Sequence, residues 1–152
     1  MPPRARKPPA TPPPSHTADL EPPLPRQPNV VNLRTLPEGW AQNPDYVYIG
    51  RPGKGLFGPW GNPIAHGRPC RVCMRVHESP GSTLPCYRSF LHSVLESPQG
   101  DQFRANVRGL SGRTLACFCA PKPCHGHDLV RIWRQLAQAD ASLTTGDPGD
   151  DA

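Results

Sequence analysis

The chain has 152 residues, among them 23 prolines, 14 glycines and six cysteines, and its 17 basic and 12 acidic side chains give a formal charge of +5. Such a length fits one domain with tails. No apolar run approaches the ~20 residues of a membrane span, and residues 1–14 carry no apolar segment of an export signal, so a membrane protein and a secreted one are both set aside.

The first 28 residues hold 11 of the prolines and almost no apolar side chains apart from Leu20 and Leu24. Too little surface can be buried there to offset ordering, which predicts a disordered, proline-rich tail with polyproline II bias, a docking point for a protein partner. A globular unit follows over residues 29–139, and residues 140–152 are read as a disordered acidic tail. The globular unit carries 13 basic and 6 acidic side chains, a balance of +7 that favours phosphate-bearing partners such as a nucleotide or nucleic acid.

Within that unit the first strands are expected at residues 29–33 and 46–49. The second runs into a glycine- and proline-rich loop, Gly50-Arg51-Pro52-Gly53-Lys54-Gly55, continued by Trp60-Gly61-Asn62-Pro63. Long irregular loops in small domains commonly bind something. Arg51 and Lys54 would meet phosphate, Trp60 would stack on a base and Asn62 would hydrogen-bond it. The loop is no P-loop, because no Ser or Thr follows Lys54 and the spacing before it is wrong.

Next comes the first cysteine cluster. Cys70 and Cys73 have the two-residue gap of a zinc knuckle, His77 lies four positions on, and Cys86 opens a helix expected over residues 84–97. These four make a Cys3His set that would staple a loop to a helix. A redox dithiol is the rival reading, although the usual strand-before, helix-after context is missing.

A strand over residues 113–119 leads into the second cluster, Cys117-Phe118-Cys119-Ala120-Pro121-Lys122-Pro123-Cys124-His125-Gly126-His127. Alternation along a strand puts Cys117 and Cys119 on one side and Phe118 on the other. The prolines turn the chain back so that Cys124, with His125 or His127, completes a tetrahedral zinc set. A rival reading makes Cys124 and Cys119 catalytic thiols served by His125 or His127, with Cys124 activated at the start of a last helix over residues 127–139. One metal site sharing both clusters is a further alternative. A zinc deaminase is disfavoured, since the His-x-Glu partner of a Pro-Cys-x-x-Cys motif is absent.

The motifs Tyr48-Ile49-Gly50-Arg51, Trp60-Gly61-Asn62-Pro63 and Leu115-Ala116-Cys117-Phe118-Cys119-Ala120-Pro121-Lys122-Pro123-Cys124-His125-Gly126 resemble a domain-of-unknown-function family of bacteria and their phages, over residues 46–133. That resemblance implies a cytoplasmic protein of a bacterium or phage-infected cell, with the Trp-Gly-Asn-Pro loop and the Cys-His cluster as its distinguishing parts. In the family Asp often follows Cys-His-Gly, where this chain has His127. The expected fold is α/β or α+β: one small domain with a short sheet, two main helices and long Gly/Pro-rich loops. The three functions that follow are a zinc domain recognising a nucleotide or nucleic acid, a cysteine-dependent enzyme, and a zinc-stapled protein-interaction module.

Overall fold

The computed structural model describes residues 25–53, 55–56 and 58–144, so residues 1–24 of the expected tail over residues 1–28, Lys54, Phe57, and residues 145–152 lie outside the described residues. Three strands, β1 (Asn29–Asn32), β2 (Tyr46–Tyr48) and β3 (Thr114–Cys117), form one sheet in the order β1-β3-β2 with both pairings parallel. The last strand in sequence is the central one. Both its edges are covered, and Leu115, Ala116 and Cys117 are buried, which is why this strand reads as a continuous apolar run. The register sets Asn32 beside Cys117 and Tyr48 beside Ala116, so all three strands end at one edge of the sheet.

Three helices pack around it: α1 (Leu84–Glu96), α2 (Gly100–Arg108) and α3 (His125–Thr144). Pro85 stands in the first turn of α1, where a missing N–H is tolerated, and Leu84, Tyr87 and Leu91 form its buried stripe. Helix α3 buries Leu129, Val130, Ile132 and Trp133 and packs against β1, α1 and α2. Its first turn lies so close to the sheet that a Cβ on Gly126 would stand 2.6 Å from Ile49 Cδ1. Only glycine permits that approach.

The fold class is the one expected, with a third helix. Helix α2 buries only Gly100 and Val107, so it lacks the apolar stripe that marks a helix in sequence. Strand β3 stops at Cys117, two residues short of the expected end. Helix α3 starts at His125 and runs beyond Ala139 to Thr144. Asp140, counted with the acidic tail by composition, lies on this helix and takes both arms of Arg108 at 2.9 Å each. At the other end the proline-rich segment joins the fold before Asn29. Pro28 is fully buried, and the Gly112 amide donates to the Arg26 carbonyl at 2.6 Å. No helix among the described residues is long and apolar enough to cross a membrane.

Candidate metal centres

Cys117 ends β3, Cys119 follows two residues later, and Cys124 and His125 open α3, so the second cluster sits at the C-terminal edge of the sheet. Each of the four side chains offers one ligand atom, and these atoms all lie within 4.8 Å of one another. Cys117 Sγ and Cys124 Sγ are 3.0 Å apart, and His125 Nδ1 is 4.0 and 3.9 Å from them. Zinc with Zn–S bonds of about 2.3 Å and a Zn–N bond of about 2.0 Å would set tetrahedral sulfurs about 3.8 Å apart and sulfur and nitrogen about 3.5 Å apart, so the two sulfurs stand closer, and the imidazole slightly farther, than a bound ion would hold them.

The imidazole is oriented from two sides. Its Nε2 donates to the Ile49 carbonyl at 2.5 Å, and the edge of the Tyr87 ring meets it at 5.5 Å and 88°. With the Nε2 proton committed to a carbonyl, Nδ1 is the nitrogen left to coordinate, the arrangement common around metal-bound histidine. The intervening loop is held by Asn32, whose side-chain amide donates to the Ala120 carbonyl at 2.7 Å.

Without a cation the quartet shares its protons. Hydrogen bonds from Cys119 and then Cys124 hold the Cys117 thiol far below the ordinary range, and the same sharing with Cys117 pushes Cys124 up. Burial alone would lower His125, but hydrogen bonds to Cys117, Cys119 and the Ile49 carbonyl outweigh it and raise the imidazole to about 9. The stabilised thiolate is therefore Cys117, although the amide of Gly126 does point at Cys124 Sγ, at 3.4 Å. A soft divalent cation would replace the protons in this Cys3His set.

The first cluster is a second, separate quartet of Cys70, Cys73, His77 and Cys86, whose ligand atoms again lie within 4.8 Å of one another. Cys73 Sγ is 3.5 Å from His77 Nε2. The turn is knuckle-like: the Val72 amide points at Cys70 Sγ at 3.3 Å, and the Met74 amide donates to the Cys70 carbonyl at 2.9 Å. The Cys73 backbone amide lowers Cys70 to about 6, whereas burial in the first turn of α1 pushes Cys86 up to about 12. Among the described residues the two clusters do not merge into one site, and His127 is exposed and joins neither.

The model of the family described as Domain of unknown function (DUF4326) matches residues 31–135, from β1 into α3 and across both clusters. The chain belongs to the DUF4326 family. No curated protein and no solved structure matches it.

In this DUF4326 domain the second quartet forms one wall of a cavity of about 460 Å3, to which Cys117, Phe118, Cys119 and His125 contribute. The end of β2 and the loop after it line the cavity too, with Tyr48, Arg51 and Leu56. Tyr48 and Phe118 meet edge to face at 6.5 Å and 88°. Phe118 thus shares the cavity with its neighbouring cysteines, because the chain has left strand geometry at Cys117 and the alternation expected from sequence no longer applies.

Of the loop residues singled out by sequence, Arg51 and Asn62 line the cavity and also hold the loop together. Arg51 lines the cavity, but its Nε donates to the Asn62 carbonyl at 3.2 Å and its Nη2 to the Ile64 carbonyl at 2.6 Å. Asn62 is buried, accepting from the Ile64 amide at 2.9 Å and donating to Thr83 Oγ1 at 3.1 Å. Arg51 thus ties the start of the loop to its far end, and Asn62 ties that end to Thr83, just before α1. Trp60 packs on Phe103 at 6.0 Å and lines a different cavity. Sequence reasoning overlooked Tyr48, Leu56 and His66 as cavity residues; the only available signal was that β2 ends at Tyr48, beside the end of β3.

Proposed function

We propose that the protein is a two-zinc domain whose second centre walls a binding cavity for a ligand of the nucleotide class. The carrying observation is the hydrogen bond from His125 Nε2 to the Ile49 carbonyl, which leaves Nδ1 to Cys117, Cys119 and Cys124. Three sulfurs and one imidazole nitrogen are a zinc-type donor set, and four protein donors complete its tetrahedron. A complete set supports a structural ion and a binding role for the cavity. The bacterial or phage-infected cytoplasm implied by the family motifs is reducing and suits cysteine ligation.

The cavity supports the ligand class. About 460 Å3 suits a small molecule, and the aromatic walls Tyr48 and Phe118 suit a planar base. It opens beyond the carboxyl ends of parallel strands, where mixed α and β folds commonly hold ligands. One observation favours a second reading, a thiol-dependent enzyme: Cys119 is exposed and lines the cavity, whereas Cys124 is buried and does not. The reactive thiol in that reading is Cys119.

Elemental analysis of the full chain purified without chelator should find two zinc ions per molecule. Calorimetric titration with nucleoside 5′-monophosphates should show binding that Tyr48→Ala weakens. Protein free of metal with a rapidly alkylated Cys119 would overturn the two-zinc reading in favour of thiol chemistry. Two zinc ions with no nucleotide binding would remove the ligand assignment alone.

A further inference from the structure

A second cavity, beside the first cluster, shares no lining residue with the cavity over β3. Between Asp45 and Glu96 the only acidic residue is Glu78, against six basic ones, and three of those, Arg68, Arg71 and Arg75, stand on the knuckle of the first cluster. All three are exposed, and none has a side-chain hydrogen bond or ion pair among the described residues. Between them the knuckle displays Val72, Met74 and Val76, which are 43%, 77% and 48% exposed. The ribbon is held stiffly by an antiparallel bridge between Pro69 and Val76 and by the Cys70 amide donating to the Arg75 carbonyl at 2.8 Å.

Met74 is the telling residue. Its φ is 64°, and no other described residue apart from glycine has a positive φ. The turn after Cys73 needs left-handed backbone, which glycine adopts without strain and methionine does not. Strain of this kind is retained where a side chain is used, and here the side chain is among the most exposed apolar groups of the molecule. Beside the knuckle lies a cavity of about 370 Å3, walled by Phe90, Ile64 and Val72 with Arg68 and Arg71 lining it as well. A half-buried ring flanked by unpaired guanidinium groups suits a base unstacked from its neighbours, with its flanking phosphates on arginine.

We infer that the knuckle over residues 68–76, with Phe90, is a binding surface for single-stranded nucleic acid. One base enters the cavity beside Phe90, Met74 covers its neighbour, and Arg68, Arg71 and Arg75 take phosphates. The inference rests on the first quartet holding its ion, since the metal fixes the knuckle.

The test uses the full chain with its metal content measured in every sample, and fluorescently labelled oligo(dT) and oligo(U) as probes. Anisotropy should report single-strand binding that weakens with salt. Arg71→Gln combined with Arg75→Gln should weaken it at least tenfold and flatten the log–log salt slope by about 1.4, since each phosphate contact to a single strand contributes about 0.7. Met74→Gly should weaken binding severalfold while leaving the melting temperature unchanged or higher, because glycine relieves the left-handed strain. Phe90→Leu should weaken it while sparing the salt slope. Absence of single-strand binding by metal-loaded protein overturns the inference and leaves the zinc reading intact, whereas absence of metal overturns both. Tighter binding to polyglutamate than to oligonucleotide would make the face a dock for an acidic protein, and binding indifferent to all the variants would place the nucleic-acid surface elsewhere.

Discussion

His125 gives its Nε2 proton to the carbonyl of Ile49, the residue just past β2, and so the end of one strand decides which nitrogen faces the sulfurs at the end of another. Three elements meet in this contact: β2 through Ile49, β3 through Cys117 and α3 through His125. Replacing His125 by Ala should lower bound zinc from two equivalents to one and reduce the melting temperature, with the first quartet unaffected. Elemental analysis paired with thermal denaturation reads both. Retention of two equivalents would mean that the imidazole is no ligand.

Gly126 bears on the same junction. A Cβ there would meet Ile49 Cδ1, just past β2, at 2.6 Å and Val30 Cγ1 of β1 at 3.1 Å. Gly126→Ala should therefore push α3 away from β1 and β2 and cost about 1–3 kcal/mol, the range for overpacking a core. It should also loosen the His125–Ile49 hydrogen bond and weaken zinc at the second centre about 10–100-fold, as the loss of an outer-shell partner does. Urea denaturation and chelator competition measure the two effects.

Proton competition gives a pH signature. Without metal His125 is raised from 6.5 to about 9 by its thiolate partners and the Ile49 carbonyl, against the lowering effect of burial. A raised group adds stability that is fully present below pH 6.5 and is lost as pH rises through about 9. Zinc must displace that proton together with the thiol protons of the quartet, so the apparent affinity of the second centre should rise with pH through about 9. Titration of metal-free protein in weak buffer should show proton release on zinc addition. Affinity independent of pH over this window would contradict the ligand assignment.

The boundaries of the fold are equally testable. Pro28 is buried, the Arg26 carbonyl accepts from Gly112, and Arg134 Nε donates to Gln27 Oε1 at 2.8 Å. A chain starting at Pro25 should keep full stability. One starting at Asn29 should lose about 1–3 kcal/mol through three lost hydrogen bonds, the third from the Ser111 hydroxyl to the Arg26 carbonyl, and an uncovered core position. Denaturant midpoints of the two truncations decide this.

What the sequence disclosed and what it hid follow from range. Spacing within each cluster identified both quartets, since ligands a few residues apart are constrained by local turns. A turn at residues 110–112 followed by an apolar run marked β3, and helical periodicity found α1 and most of α3. The apolar stripe of α2 was too thin to notice, and the tail boundaries missed Arg26 and Asp140 because their partners, Gly112 and Arg108, are distant in sequence. Distance also hid the loop's internal ties. Arg51 and Asn62 line the cavity, and their side chains also hold Ile64 and Thr83 in place. The choice between His125 and His127 needed the Ile49 carbonyl, 76 residues away in the chain.

The two quartets should differ in how much stability each cysteine carries, and the order is opposite to what position along the chain suggests. Cys73 lies in a loop, and a staple in a loop would be expected to hold elements together. It is exposed, however, and the knuckle keeps its own backbone hydrogen bonds from Cys70 to Arg75 and from Met74 to Cys70. Cys124 is 2% exposed and belongs to the main core cluster with Ile49, Leu115 and Leu129. Serine at position 124 would leave a hydroxyl in a buried site as well as removing a metal ligand, adding about 1–3 kcal/mol to the loss of the ion. Cys124→Ser should accordingly lower the melting temperature more than Cys73→Ser, while each removes one zinc. Metal content and thermal denaturation of the two variants, side by side with the parent chain, give the comparison. A larger loss for Cys73→Ser would show that the first quartet, and not the core beneath α3, is the structural keystone.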